Sequence, residues 1–67
     1  MTIPETIKAA RLKAGLTQQA LGEALGYEGT SADSTVRRWE AGSRPVPIEK
    51  IRKLAELLQI TLDSLIP

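Results

Sequence analysis

Thr17-Gln18-Gln19-Ala20-Leu21-Gly22-Glu23-Ala24-Leu25-Gly26 is the stretch whose reading decides the fold. Thr17 is a good N-cap, because its hydroxyl can take a backbone N–H that the first turn of a helix cannot bond internally. Leu21 and Leu25 lie one turn apart on one face, and Gly26 is a natural stop. This predicts a helix over 18–25. Tyr27-Glu28-Gly29-Thr30-Ser31 has loop composition. Ser31 or Asp33 can then cap a third helix over 32–41, which carries Val36 and Trp39 and ends at Gly42. Glycine inside a helix costs ~1 kcal/mol relative to alanine, so Gly22 calls for a packing reason. Two short consecutive helices that cross steeply and touch supply one.

Outward from this pair the chain continues as short helices. Thr2-x-x-Glu5 has capping-box spacing, Pro4 suits a first turn, and Ile3, Ile7 and Ala10 share a face, so a first helix is expected over 3–14 with Gly15 closing it. Ser43-Arg44-Pro45-Val46-Pro47 must be a non-helical connection, because each proline restricts the residue before it. A fourth helix is expected over 47–58 with the stripe Ile51, Leu54, Ala55 and Leu58, and a fifth, capped by Thr61, over 62–66. No stretch alternates with period two long enough for a sheet. The expected fold class is all-α, five helices in one domain spanning 1–67.

Composition narrows the chemistry. The 67 residues include no Cys and no His, which excludes a disulfide framework, a zinc site on N/S ligands and His or Cys catalysis. The carboxylates are scattered singly along helices, so no catalytic constellation assembles and an enzyme is not expected. No cofactor or metal is implied. No apolar run approaches the ~20 residues that cross a bilayer, and no signal-peptide core follows Met1, which reads as a true start. Net charge is only +1, yet it is uneven: residues 1–30 balance to zero, 31–53 carry +3 and 54–67 carry −2. A central basic segment points weakly to a polyanionic partner.

Leu16 to Gly26, then Ser34-Thr35-Val36-Arg37-Arg38-Trp39-Glu40-Ala41-Gly42, and later Lys53-Leu54-Ala55-Glu56-Leu57-Leu58 with Ile60-Thr61-Leu62-Asp63-Ser64-Leu65, resemble the Cro/phage-repressor helix-turn-helix family. The resemblance runs from Ile7 to Ile66 and rests on the ordered combination of Leu-Thr-Gln, Arg-Trp-Glu-x-Gly and Leu-Asp-x-Leu. It implies a lambda repressor-like domain that binds double-stranded DNA as a homodimer on a two-fold symmetric site. A cytoplasmic transcriptional regulator of bacterial or phage origin, most simply a repressor, is implied with it. An antitoxin-like or protein-interaction module on the same helices is the alternative. In one respect the chain departs from the family: the turn from Tyr27 to Ala32 is about four residues longer than usual. The insertion 28–31 either extends the third helix backwards or forms a small loop.

The resemblance places the third helix in the major groove, with Asp33, Ser34, Arg37 and Arg38 as base-reading candidates. Arginine can bond two acceptors of guanine, and serine serves base or phosphate. Arg37 and Arg38 are adjacent and so point about 100° apart, which argues against both reading bases. Asp33 suits a cap better than a base contact, since phosphate repels it. Thr17 and Gln18 at the start of the second helix, with Thr35, Ser43 and Arg44, are the phosphate candidates. Trp39 shares a face with Val36 and belongs to the core; Lys50 and Lys53 read as a solvated face. The resemblance also pairs Arg11 with Glu40 as a partly buried ion pair, with the arginine stem covering the core. Residues 48–66 contain nine large aliphatics, more than one stripe can bury, so Leu57, Leu62 and Ile66 are candidates for a dimer contact.

Overall fold

Local capping chemistry sets where the helices begin. In the computed structural model, which describes residues 2–66, Thr2 donates its N–H to Glu5 Oε1 at 2.9 Å and accepts the Glu5 N–H on Oγ1 at 3.3 Å. This closes the capping box of α1 (Ile3–Lys13). Thr17 Oγ1 accepts the Ala20 N–H at 2.9 Å and starts α2 (Gln18–Ala24). The expected ends 14 and 25 are instead the capping residues Ala14 and Leu25. Met1 and Pro67, the ends of the expected 1–67 domain, lie outside the described residues.

α3 (Thr30–Ala41) begins earlier than the expected 32. Ser31 and Asp33 are not its caps; Gly29 holds that place with no side-chain bond. The reason is that the Ser31 and Ala32 N–H groups are taken by the Glu28 and Gly29 carbonyls, each at 3.2 Å. Gly29 turns the chain with φ 58°, so Thr30 and Ser31 of the insertion extend the helix backwards while Glu28 and Gly29 stay in the turn before it. α4 (Ile48–Leu58) follows Pro47, which is its N-cap and not its first residue. The expected fifth helix is a single 3-10 turn, Leu62–Leu65. The Ser64 N–H closes on Thr61 O at 3.1 Å, the i→i+3 bond of a 3-10 turn.

The four α-helices among the described residues end alike. An N–H two or three residues past each last helical residue reaches back to a carbonyl of the final turns: Leu16 to Arg11, Tyr27 to Gly22, Ser43 to Arg38 and Ile60 to Ala55, at 3.0–3.1 Å. Three of these ends use a glycine in the left-handed region; the fourth uses Gln59, at φ 57°.

The core joins Ile7 of α1, Leu21 of α2 and its capping residue Leu25, Val36 and Trp39 of α3, Leu54, Ala55 and Leu58 of α4, and Leu65 of the terminal turn. Gly22 has the packing reason its sequence position demands. A Cβ built there would sit 2.3 Å from the carbonyl oxygen of Ala32, so only glycine lets α2 and α3 meet at this crossing. Tyr27, placed in a loop by composition, packs edge-on against Trp39 with ring centroids 6.0 Å apart. Lys50 is not on a solvated face: its Nζ donates to Leu25 O at 2.9 Å, capping the carboxyl end of α2, and lies 5.1 Å from the centre of the Tyr27 ring. Lys53 is exposed.

Candidate nucleic-acid interface

α3 turns Ala32, Val36 and Trp39 inward, which leaves Arg37 and Arg38 on its exposed side. The two guanidiniums are in different circumstances. Arg37 pairs one turn back with the Asp33 carboxylate. Asp33 therefore neither caps the helix, whose N-cap is Gly29, nor stands free: it sits in the first turn of α3 with its carboxylate turned to Arg37. Arg38 makes no salt bridge among the described residues and borders a groove of about 360 Å³, with Thr35, Arg44 and the Tyr27 ring along its wall. Ser34, half-buried, donates its hydroxyl to Thr30 O at 2.9 Å, so only its lone pairs remain for an outside donor. Ser43 and Arg44, exposed, follow directly where α3 ends. Burial, and secondarily the charge of Glu49, push the Tyr27 phenol above its ordinary value of 10.0, so it stays neutral through the physiological range.

The start of α2 flanks α3. Thr17 is exposed, and its Oγ1 is used only as an acceptor, which leaves its hydroxyl hydrogen to donate outward. Gln18, expected as a phosphate contact, is also tied inward: its Nε2 donates to Glu40 Oε1 at 3.2 Å. Glu40 in turn receives Arg11 through two bonds, Nε to Oε2 at 2.6 Å and Nη2 to Oε1 at 3.1 Å. Arg11 Nη1 donates to Leu16 O at 2.8 Å. Arg11 is only 7% exposed, so its charge is balanced inside the fold by a bidentate partner. One cluster thus joins α1, the segment leading into α2, the first residue of α2 and the end of α3. The i, i+3 and i, i+4 spacing rules of helices carry no signal for the Gln18–Glu40 bond, since it spans 22 positions.

The surface of α4 and the terminal turn carries exposed aliphatics. Ile48 is 85% exposed, Ile66 51% and Leu62 40%. With Val46, Ile51 and Arg52 they line an open groove of about 450 Å³. Leu57, grouped with Leu62 and Ile66 as a dimer candidate, is instead half-buried against the edge of the core and lies outside this groove. Its position one residue from the buried Leu58 turns it toward the core's flank.

No helix among the described residues is long and apolar enough to cross a membrane. The family sequence model described as Helix-turn-helix matches residues 7–65, nearly the whole chain. No curated protein and no solved structure matches it.

Proposed function

The chain belongs to the Cro/phage-repressor helix-turn-helix family of DNA-binding regulators, and from this premise we propose that it binds double-stranded DNA sequence-specifically, as a transcriptional repressor, with α3 in the major groove. The observation that carries this reading is the exposed face of α3, where Arg38, without a salt bridge among the described residues, stands beside Arg44 and Thr35. Arg38 is the base reader, offering two donors to guanine O6 and N7. Arg37, held by Asp33, and Ser34, an acceptor, are the secondary base contacts. Arg44, Thr35, Ser43, Thr17 and Gln18 hold phosphates on either side and fix the register without reading sequence.

The reading includes a homodimer. Two copies joined through Ile48, Leu62 and Ile66 would bring two recognition helices to bear on one face of a duplex, where half-sites repeat every ~34 Å. The same apolar groove favours the second reading, a protein partner in an antitoxin-like arrangement, with DNA binding secondary.

Selection of duplexes from a random pool tests the first reading. A recurrent two-fold symmetric site is expected, and a pool that never enriches would overturn it. On the selected site, Arg38→Ala should cost ~1–3 kcal/mol and relax the preference at one base pair. Arg44→Ala should weaken selected and scrambled duplexes alike and reduce the salt slope by about 1.

A further inference from the structure

We propose that Glu40, besides pairing with Arg11, is a positioning residue for Gln18: it turns the amide so that one N–H is held by the carboxylate and the other is delivered outward to a DNA phosphate. The proposal rests on the DNA-binding reading above and deepens it at one contact.

The argument begins with the amide itself. A glutamine side chain carries two N–H donors on one atom and an acceptor oxygen on the other. A free surface glutamine presents either end, and its oxygen, facing a phosphate, is repelled. A carboxylate only accepts. With Glu40 Oε1 at 3.2 Å, the nitrogen end of the Gln18 amide must face it, and the second hydrogen of that nitrogen remains for a ligand. Gln18 is half-buried, so its solvent-facing side stays accessible. Beside it, the exposed Thr17 has its own hydroxyl hydrogen free, which places two outward donors on consecutive residues.

Charge decides whether such an arrangement can tolerate DNA. A bare carboxylate behind the contact would oppose a phosphate. Here both Glu40 oxygens are engaged by Arg11, at 2.6 and 3.1 Å, so the pair is neutral as a unit. Arg11 also holds Leu16 O at 2.8 Å, one residue before Thr17, which ties the approach to α2 to the same cluster. The cluster that stabilises the fold therefore also fixes the orientation of the DNA-facing amide.

The test uses the full chain, with Gln18→Ala, Glu40→Gln and the double variant, on the selected duplex and a scrambled one. Affinities are measured below the melting temperature of each variant. Gln18→Ala is expected to weaken both duplexes by roughly tenfold, the size of one hydrogen bond to a charged group. Glu40→Gln is expected to weaken both as well, and the double variant to lose no more than the worse single one. Additive losses overturn the positioning role while leaving DNA binding intact. A chain that binds no duplex overturns both readings. If Glu40→Gln fails to fold, nitrogen-edited proton spectra of the unaltered chain decide. Slow exchange of one Gln18 side-chain N–H with water supports the proposal, and a pair that exchanges as fast as a solvent-exposed glutamine overturns it.

Discussion

Two regions of this molecule solve opposite problems. Around the α1–α2–α3 junction every buried polar side-chain atom among the described residues has a partner. Arg11, Glu40 and Gln18 satisfy one another there, and Gly22 lets two backbones meet without a gap. Around α4 and the terminal turn the chemistry is apolar and left open, with Ile48, Leu62 and Ile66 facing solvent. A closed polar cluster fixes geometry, which a surface that must register on a duplex requires. An open apolar groove gains by being covered, which suits a surface meant for a second protein chain. The difference teaches that position is built into one side and association into the other.

The sharpest way to break the comparison is to open the polar cluster. Glu40→Ala leaves the Arg11 charge buried and unpaired, at a cost of about 3–5 kcal/mol, comparable to the whole stability of a chain this short. The exposed Asp33–Arg37 pair has the same chemistry without the burial, and Asp33→Ala should cost ~0–1 kcal/mol. Thermal unfolding of both variants checks this; a fall of only a degree or two for Glu40→Ala would show that the cluster does not hold the junction.

Next in size is the crossing of α2 and α3. Gly22→Ala improves helix propensity by ~1 kcal/mol, yet its Cβ meets the Ala32 carbonyl, so a net loss of about 1–3 kcal/mol is expected in urea unfolding. A stabilised variant would mean that the helices part without penalty.

The open side should respond in the other currency. Ile48→Glu and Ile66→Lys change solvent-facing groups and should leave the melting temperature of the folded chain within about a 0.5 kcal/mol equivalent. Both should abolish self-association in sedimentation and weaken binding to a two-fold symmetric site. An unaltered chain that sediments only as monomer at high concentration, with and without DNA, removes the homodimer from the reading.

Two smaller effects sharpen the picture at the edges. Gln59 occupies the left-handed position that glycine fills at the other three α-helix ends, so Gln59→Gly should raise the urea midpoint by about 0.5–1 kcal/mol equivalent. Tyr27 has a raised folded pKa, so the stability it lends is complete below the ordinary value of 10.0 and lost as pH rises through the folded value. Melting temperatures followed into the alkaline range should show this fall, and Tyr27→Phe should remove that part of it.

Much of the architecture was legible because its signals are local. The Thr2 and Thr17 caps, the glycine stops and the apolar stripe of α4 each depend on residues within about one or two turns, and that is the range over which a sequence pattern dictates hydrogen bonds. The same locality explains the errors. Ser31 and Asp33 have cap chemistry, but α3 starts before either because the backbone at Gly29 had already turned and supplied the first carbonyls. Thr61 has cap chemistry, yet its hydroxyl meets the Ser64 hydroxyl and makes no side-chain cap bond to the backbone. For Arg11 and Glu40, 29 positions apart, no spacing rule exists, and only the family resemblance paired them.

The sequence by itself thus determined that this is an all-α chain with a glycine-mediated helix crossing and arginines on the exposed side of its third helix. Those features follow from caps, periodicity and the absence of a Cβ at one position. Only the tertiary structure decided that Gln18 is oriented by Glu40, that Lys50 closes the end of α2 over Tyr27, that Arg38 and not Arg37 is free of an ion pair, and which aliphatics stay in water. Most of these outcomes depend on groups more than twenty residues apart along the chain being brought within hydrogen-bond or van der Waals reach, and the Asp33–Arg37 pair depends on which rotamers the packed helix allows. Such encounters are fixed by how whole helices pack, because an amide or an ammonium takes whatever acceptor the assembled fold sets beside it.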